Sequence, residues 1–489
     1  MVRASATVLL LWMASQAAAK PAECLVRFDV AGASGDPEAP TLVCRDGDPA
    51  CDQDASENGS CRLSVAICSG FPPCPAVEPS RLRVRGKGTE ALAAALTGVP
   101  VAPAPTCTEA VEVSIARGNA ARRRRVLRVW ARDESGNLQD RDRLTLVCTG
   151  PPAPQAILVT SDFETGVLVH TPLARPARGR PAGAVIHADA LVRVIDGTVF
   201  VVNRYLGDNL QVLNDQLTTR LQCSTGVGSN PHDVALAAPD KAYVTRYDRD
   251  ALWIVDPQAN GCDGFRLGTI ELGAFADADG LPEMSQMALV GTRLFISLQR
   301  LDRRTGFKPA GPSMLAVVDT TSDVVIGTIE LVGRNSLADS SGLQREPGTG
   351  KLLVPQAGNV FRTGDGGIER VDPEGLVSEG FVVTEDVLGG TVTDFVLASP
   401  RKGYAIVLDE TLRNLLVAFD PQEGTLLGRV FASTRFLSDV ALAPDGTLWL
   451  ADRALPRPGI RIFDTTTDAP IGRGVIDVGL PPFSLGFVP

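Results

Sequence analysis

The chain reads HDVALA at 232–237, then YVT at 243–245 and LWIVDP at 252–257. A second copy, within 438–465, reads SDVALA, LWL and IRIFDT in the same order. Each segment is a short apolar run rich in strand-forming residues, and turn residues separate the runs. The Asp-Pro or Asp-Thr pair that ends the third run is typical of a turn, because the Asp side chain accepts backbone hydrogen bonds there. These stretches predict antiparallel β-strands that repeat along the chain.

The first run of this unit recurs seven times after residue 155. Aligned at their polar first positions, the copies are spaced by 44, 53, 54, 54, 45 and 45 residues, and those positions are Asp189, Asp233, Gln286, Ser340, Asp394, Asp439 and Ser484. A period of this size with three or four strands per unit is typical of propeller blades. A solenoid is the alternative, but a solenoid needs capping repeats at its ends.

The two ends of the repeat region are incomplete units. Residues 157–160 and 167–170 supply strands without a first run, and residues 483–488 supply a first run without the other strands. Joined, they would complete one blade and remove the free sheet edges. The sequence therefore predicts an all-β protein in which residues 155–489 form a closed seven-bladed β-propeller.

The repeats resemble YVTN-type β-propeller repeats. The resemblance lies in FVVN at 200–203, YVTR at 243–246 and the Asn230-Pro231 pair, and it extends over residues 155–489. Arg246 replaces the usual Asn, and the units near 286 and 340 are degenerate. The resemblance implies an exported protein, usually a binding or surface protein, with redox cofactors or bound metals in a minority of relatives.

The composition changes at the segment TGPPAP, residues 149–154, which predicts a linker because adjacent prolines favour an extended chain. Residues 20–148 contain seven short strand-like runs with turns between them, which predicts a small, disulfide-rich β-sandwich-like domain. The string CRDGDPACD at 44–52 resembles uncharacterised cysteine-rich modules of exported bacterial proteins.

Ten cysteines are present, and eight of them precede residue 150. An even number that is dense in a small module indicates disulfides formed in an oxidising compartment, whereas the paired spacings of a zinc site are absent. Eight cysteines allow 105 pairings, so the connectivity stays open. Short loops favour Cys51–Cys61 and Cys68–Cys74, and isolation from the others favours the pair Cys223–Cys262.

Residues 1–19 have the features of a secretory signal peptide: a basic start at Arg3, an apolar stretch, and small residues before Lys20. The apolar stretch is too short for a membrane anchor, and no later segment is long enough to span a membrane. We expect a periplasmic or extracellular, monomeric protein. A formal charge of −10 disfavours nucleic acid as a partner, which leaves an unknown protein or a carbohydrate.

Charged residues recur at positions that the propeller brings to one rim. The first positions of the runs and the turns after the second strands supply a candidate ligand-binding set: Asp189, Arg204, Asp233, Arg246, Gln286, Arg300, Asp394, Asp439 and Arg453. The alternative is that neighbouring opposite charges form ion pairs that stabilise the blade edges.

We expect a non-enzymatic binding or scaffolding function. The alternative is a divalent-metal-dependent lactone or ester hydrolase of gluconolactonase-like type, with the carboxylates and Gln286 of the rim as oxygen ligands. Recurrence at equivalent positions favours a structural role for these residues. Only three histidines occur, and no C-x-x-C-H or G-x-S-x-G motif is present, so we predict no catalytic residues.

An acidic loop in the N-terminal domain is a candidate calcium site. Asp46, Asp48, Asp52 and Asp54 supply four carboxylates in nine residues, and hard oxygen ligands suit Ca²⁺. The loop does not match an EF-hand, because the fifth position is Ala50. The alternative is a solvated acidic turn held by a disulfide. We expect no other cofactor.

Overall fold

The computed structural model describes residues 26–29, 41–46, 51–53, 60–69, 82–86, 90, 94, 106–107, 110–116, 122–132, 135, 138–150, 154–337, 342–360, 362–472 and 474–488. The predicted signal peptide at 1–19 lies outside these residues, as does the middle of the predicted linker. The chain divides into two compact units, Met1–Ala153 and Pro154–Pro489. In the described ranges, every helix is too short or too polar to cross a membrane.

The N-terminal unit consists of two β-sheets. Its strands are β1 (Val26–Asp29), β2 (Thr41–Arg45), β3 (Ser60–Ser69), β4 (Leu82–Arg85), β5 (Thr106–Cys107), β6 (Val111–Ala116), β7 (Arg122–Arg132) and β8 (Leu138–Thr149). In one sheet β1, β5 and β6 pair with β3, and the other sheet has the order β2-β8-β7-β4. Side chains from both sheets share one hydrophobic core. This is the sandwich-like arrangement that the sequence predicts.

The disulfides of this unit correct a predicted pairing. Cys51 bonds to Cys44, and Cys61 bonds to Cys148, with Cα atoms 5.7 Å apart in each pair. The prediction of a Cys51–Cys61 bond is therefore wrong. Because Cys61 lies in β3 and Cys148 in β8, the bond joins the two sheets through the core. The packing of the sheets brings these residues together, and short sequence separation does not indicate it.

The other predicted disulfides have different outcomes. The bond between Cys223 and Cys262 is confirmed, with Cα atoms 5.4 Å apart. Cys74 lies outside the described residues, so its pairing with Cys68 stays a prediction.

Nearly all of the regular secondary structure described in the second unit is β-strand. Its strands are β9 (Gln155–Ser161), β10 (Gly166–Pro172), β11 (Arg180–Ile186), β12 (Ala190–Ile195), β13 (Thr198–Asn203), β14 (Asn209–Leu213), β15 (Thr219–Ser224), β16 (Pro231–Ala238), β17 (Lys241–Arg246), β18 (Ala251–Val255), β19 (Arg266–Glu271), β20 (Met284–Val290), β21 (Arg293–Leu298), β22 (Leu301–Asp302), β23 (Lys308–Pro309), β24 (Met314–Asp319), β25 (Val324–Glu330), β26 (Gln344–Arg345), β27 (Leu352–Gln356), β28 (Gly367–Asp372), β29 (Val377–Thr384), β30 (Thr391–Ser399), β31 (Lys402–Leu408), β32 (Asn414–Asp420), β33 (Thr425–Ser433), β34 (Leu437–Leu442), β35 (Thr447–Asp452), β36 (Gly459–Asp464) and β37 (Pro482–Val488). A four-residue helix, α1, covers Glu385–Leu388, and short 3₁₀ helices cover Cys262–Gly264, Gly273–Phe275 and Arg303–Thr305.

Within the described residues of this unit, these strands form seven antiparallel sheets and one small hairpin, β22–β23. We number the sheets as blades in chain order, and their strands are β37-β9-β10-β11 in blade 1, β12 to β15 in blade 2, β16 to β19 in blade 3, β20-β21-β24-β25 in blade 4, β26 to β29 in blade 5, β30 to β33 in blade 6 and β34 to β36 in blade 7. The first strand given for each blade is the innermost one.

Blade 1 contains strands from both ends of the repeat region. The C-terminal strand β37 pairs antiparallel with β9, with Leu485 opposite Leu158 and Gly486 opposite Ile157. The two incomplete units therefore join and close the propeller, as the sequence predicts. In blade 1 the C-terminal strand β37 is the innermost strand.

The Asp residues that end the third strands form the predicted turns. In each case an Asp carboxylate accepts the backbone N–H two residues later, at 2.7–3.1 Å, and the five residues are Asp256, Asp319, Asp372, Asp420 and Asp464. Two of these turns also accept hydrogen bonds from side chains of the neighbouring blade. Tyr404 donates to Asp468 at 2.6 Å and Lys402 donates to the Thr465 carbonyl at 2.8 Å. Lys241 and Tyr243 of blade 3 contact Asp323 in the same way.

Removal of residues 483–489 should strongly destabilise the propeller. The truncation exposes β9 and deletes the buried side chains of Phe483 and Leu485, each worth about 1.5–3 kcal/mol. We expect thermal melting to shift down by about 10 °C or more, whereas removal of Pro489 alone should leave it unchanged. Equal melting temperatures for the full and truncated chains would contradict closure by β37.

Candidate functional site

One face of the propeller gathers most of the predicted rim residues. Because neighbouring strands of a blade are antiparallel, the start of each innermost strand and the end of each second strand lie on the same face. We call it the upper face. The turns after the second strands and the connections from one blade to the next are also on this face.

Three of the predicted carboxylates connect neighbouring blades. Asp233 Oδ2 accepts the backbone N–H of Met287 at 2.8 Å, Asp394 Oδ2 accepts that of Val440 at 3.1 Å, and Asp439 Oδ2 accepts that of Leu485 at 2.6 Å. Each Asp is buried, and each donor belongs to the innermost strand of the following blade. These carboxylates therefore support the repeat, which is the structural alternative considered for the sequence pattern.

Asp189 does not occupy the equivalent position in blade 2. Ser484 Oγ accepts the N–H of Val192, so Leu191 is the counterpart of Asp233. In blade 3 a β-bulge between Pro231 and Val234 shifts the register, whereas β12 pairs with β13 without a shift. The bulge accounts for one residue of the two-residue offset.

Asp189 instead pairs with Arg204 at the upper rim. Arg204 Nε lies 3.0 Å from Asp189 Oδ1, and the guanidinium of Arg204 lies over the ring of Phe483, 5.2 Å from its centroid. Arg453 lies near the same ring and donates to the carbonyls of Pro482 and Ser161 at 3.1 and 2.9 Å. Burial lowers the pKa of Arg453.

The remaining two arginines of the predicted set have structural contacts. Arg246 is buried, lies 4.5 Å from the centroid of the Trp253 ring, and donates to the Thr225 carbonyl at 2.9 Å. Burial lowers the pKa of Arg246 to about 10. Arg300 has a φ of 57° and donates to the Pro312 carbonyl at 3.2 Å.

A cavity of about 260 Å³ opens on the upper face, and its lining residues come from blades 2 to 5 and their connections. Its polar lining residues are Arg204, His232, Tyr247, Ser285, Gln286, Gln299 and Asn335, and its apolar lining residues are Leu191, Leu301, Phe307, Leu337 and Val360. We call it the upper cavity. Of the nine predicted rim residues, Arg204 and Gln286 line it.

Two amide side chains in the cavity have an oxygen without a hydrogen-bond partner among the described residues. These atoms are Gln286 Oε1 and Asn335 Oδ1, and the two residues are 4% and 7% exposed. Asn335 Nδ2 donates to the Gly358 carbonyl at 3.1 Å, which fixes the orientation of the amide. Such buried acceptors are rare in proteins and require an explanation.

Aromatic and amide groups connect three blades along the cavity wall. The His232 ring stacks on Tyr247, with centroids 4.1 Å apart and an interplanar angle of 13°. Tyr247 donates to Gln299 Oε1 at 2.8 Å, and Gln299 Nε2 donates to the Ser336 carbonyl at 3.2 Å. Burial is the largest cause that holds the pKa of His232 well below its usual value, and the charges of nearby arginines lower it further. The imidazole is therefore neutral.

The buried side chain of Glu283 holds the hairpin that supplies Leu301 and Phe307. Glu283 Oε2 accepts the N–H of Leu301 at 3.0 Å, and Glu283 Oε1 lies 3.3 Å from Arg303 Nε. Arg303 also contacts Asp248 at 2.6 Å. Burial, and then the nearby Asp279 and Asp277, raise the pKa of Glu283 to about 8.

The recurring sequence pattern does not identify His232, Tyr247, Gln299 or Asn335 as site residues. The long spacings of 53 and 54 residues are the signal that could have located them. The extra residues form connections on the upper face, at 273–283, 301–309, 357–360 and 362–366, and the blades that carry them provide most of the cavity wall.

The acidic loop of the N-terminal unit is described only in part. Asp46 and Asp52 are buried, and Asp52 Oδ1 accepts the N–H of Arg62 at 2.9 Å. Asp48 and Asp54 lie outside the described residues, so calcium binding stays a prediction. In the ranges that are described, no group of three or more His, Cys, Asp or Glu side chains is arranged to hold a metal ion.

Comparisons with known proteins find structural neighbours at low sequence identity. No protein-family model and no curated protein matches the chain. A protein from Lactobacillus plantarum is 13% identical, with a TM-score of 0.50 over 68% of this chain and 99% of that one. A candidate 6-phosphogluconolactonase from Bacteroides fragilis is 14% identical, with a TM-score of 0.43 over 69% of this chain and 98% of that one. The dihydro-heme d1 dehydrogenase NirN is 15% identical, with a TM-score of 0.44 over 73% of this chain and 72% of that one. The propeller domains of Doa1 and Dos1 also match. The chain is a β-propeller protein.

Replacement of Asp439 by Ala should destabilise the propeller. The substitution leaves the buried N–H of Leu485 without its acceptor, which costs about 1–3 kcal/mol. Asp439→Asn retains a carbonyl oxygen and should cost less. Urea unfolding of the two variants tests this, and an equal, negligible loss in both would show that the hydrogen bond between the blades does not contribute.

The free energy of unfolding should depend on Glu283 between pH 5 and 8. In this range the folded protein retains a proton that the unfolded chain has released, so stability falls as pH rises, by at most about 1.4 kcal/mol per pH unit. Glu283→Gln should flatten this dependence, and Glu410→Gln, at an exposed site, should not. Identical pH profiles for wild type and Glu283→Gln would contradict the raised pKa.

Proposed function

We propose that this protein is an exported, non-enzymatic binding or scaffolding propeller that holds a small ligand in the upper cavity. The observation that carries the proposal is the pair of buried amide oxygens of Gln286 and Asn335 in that cavity, which accept no hydrogen bond from the residues that the structure describes. In pockets of this kind, a few polar groups fix the orientation of the ligand and the apolar wall supplies contact area.

Export and location belong to the same proposal. The signal-like segment at 1–19, the paired cysteines and the YVTN-like repeats support a periplasmic or extracellular protein. The net charge of −10 supports a partner other than nucleic acid. A monomer is the simplest state for a propeller that closes on itself.

The hydrolase alternative has less support from the geometry. It would need several carboxylates to converge on one metal ion. Asp233, Asp394 and Asp439 each direct an oxygen at a backbone N–H of the next blade, so they act as separate supports. A loss of activity in Asp233→Ala or Asp439→Ala would therefore need a folding control before it indicated catalysis.

Filling the upper cavity should abolish ligand binding. Leu337 lines the cavity and is half-buried, so Leu337→Trp places an indole in the space. We expect at least one class in a panel of neutral sugars, sugar acids, amino acids and nucleosides to raise the melting temperature of the wild type at millimolar concentration. That shift should disappear in Leu337→Trp.

The matched control is Val227→Trp, which adds the same side chain at an exposed loop position. This variant should retain the shift. Wild-type melting that no class changes would refute the small-ligand proposal. Hydrolysis of lactones by the wild type, with stoichiometric bound metal, would favour the hydrolase alternative.

A further inference from the structure

The degenerate units of the repeat create the upper cavity. In blades 1, 3, 6 and 7 the first-position side chain accepts an N–H from the next innermost strand. Gln286 holds this position in blade 4, but the innermost strand of blade 5, β26, is only two residues long. The chain instead passes Gly342 with a φ of 72°. Gln286 Oε1 thereby has no hydrogen-bond donor among the described residues.

The unused acceptors define one requirement for the ligand. Gln286 Oε1 and Asn335 Oδ1 lie in the same cavity and accept no hydrogen bond from the described residues. An unsatisfied buried acceptor is costly, and a ligand O–H or N–H would remove that cost. The ligand should therefore carry at least two hydrogen-bond donors.

The charges around the cavity define a second requirement. No carboxylate is among its lining residues, and Arg204 lies on its wall. Arg193, Arg204 and Arg303 all lower the pKa of His232 through their charge. Each of these arginines is itself paired with a carboxylate, of Asp233, Asp189 or Asp248, so an ammonium group would lose its hydration here without gaining a counter-charge. Neutral hydroxyl groups satisfy the amide oxygens without this penalty and can also accept hydrogen bonds from Arg204.

The size and the apolar wall define a third requirement. The volume of 260 Å³ corresponds to about eight or nine water molecules at ~30 Å³ each, enough for one six-membered ring with substituents. Phe307 is 55% exposed beside Leu301 and Val360. Such a surface suits a ligand with one C–H-rich face and a polar edge.

We propose that the upper cavity binds one neutral sugar ring, as a free monosaccharide or as the terminal residue of a saccharide. This inference rests on the binding function proposed above and specifies its ligand class. Gln286 and Asn335 accept from ring hydroxyls, Arg204 donates to them, and Phe307 contacts the apolar face of the ring.

Calorimetric titration of the full mature chain tests the inference. The probes are glucose, galactose, mannose and N-acetylglucosamine, with glucosamine, glucuronate and amino acids as charged comparators and the matching disaccharides as the saccharide arm. We expect a neutral sugar to bind, and glucosamine to bind at least about tenfold more weakly than N-acetylglucosamine. Tighter binding of the disaccharide would assign the terminal-residue form, and equal binding the free monosaccharide.

The variant Gln286→Met removes the acceptor but preserves the length of the side chain. It should raise the Kd of the sugar about tenfold, with an unchanged melting temperature in the absence of sugar. Gln216→Met, in the exposed turn between β14 and β15, should bind as the wild type does. If Gln286→Met alters folding, loss of sugar binding in Leu337→Trp, with retention in Val227→Trp, gives the same test.

The remaining outcomes separate the two proposals. Sugar binding that is unaffected by both cavity variants would overturn the inference. Preferential binding of an amino acid or a charged sugar, lost in Leu337→Trp, would overturn the inference and retain the binding function. Absence of binding by every class would overturn both.

Discussion

The unpaired edge of each innermost strand is the constraint on which the propeller depends. The N–H groups on that edge have no neighbouring strand and need acceptors. At five interfaces a side-chain oxygen of one blade accepts an N–H of the next, and the pairs are Ser484–Val192, Asp233–Met287, Gln344–Leu397, Asp394–Val440 and Asp439–Leu485. Because each bond joins consecutive blades, the set fixes their order and supports the closure made by β37.

The candidate site lies where this constraint is relaxed. Innermost strands elsewhere are six to nine residues long, whereas β26 has two. The shortened strand leaves Gln286 without the contact made by Asp233, and the long connections of blades 3, 4 and 5 surround it with aromatic and amide groups. The polar groups that a ligand could contact therefore lie where the chain departs from the repeat, and the residues that recur in the repeat are used for structure.

Several features of the fold follow from local sequence. The Asp residues at the ends of the third strands form turns because their carboxylates reach a backbone N–H two residues away, and this geometry is local. The incomplete units at the two ends predict the pairing of β37 with β9, because only that pairing removes both edges. The pair Cys223–Cys262 could be predicted because the other cysteines are far away in sequence.

The sequence by itself determined the all-β class, the repeating unit and the way in which the propeller closes, because strand patterning and turn chemistry depend on neighbouring residues. Only the tertiary structure decided which polar residues are available to a ligand. Asp233 and Gln286 occupy the same place in the repeat, yet Asp233 is hydrogen-bonded to the next blade, whereas Gln286 Oε1 has no partner in the described part of the chain. That difference depends on the length of a strand in another blade. The Cys61–Cys148 bond likewise depends on the packing of two sheets, whose contacts join residues that are distant along the chain.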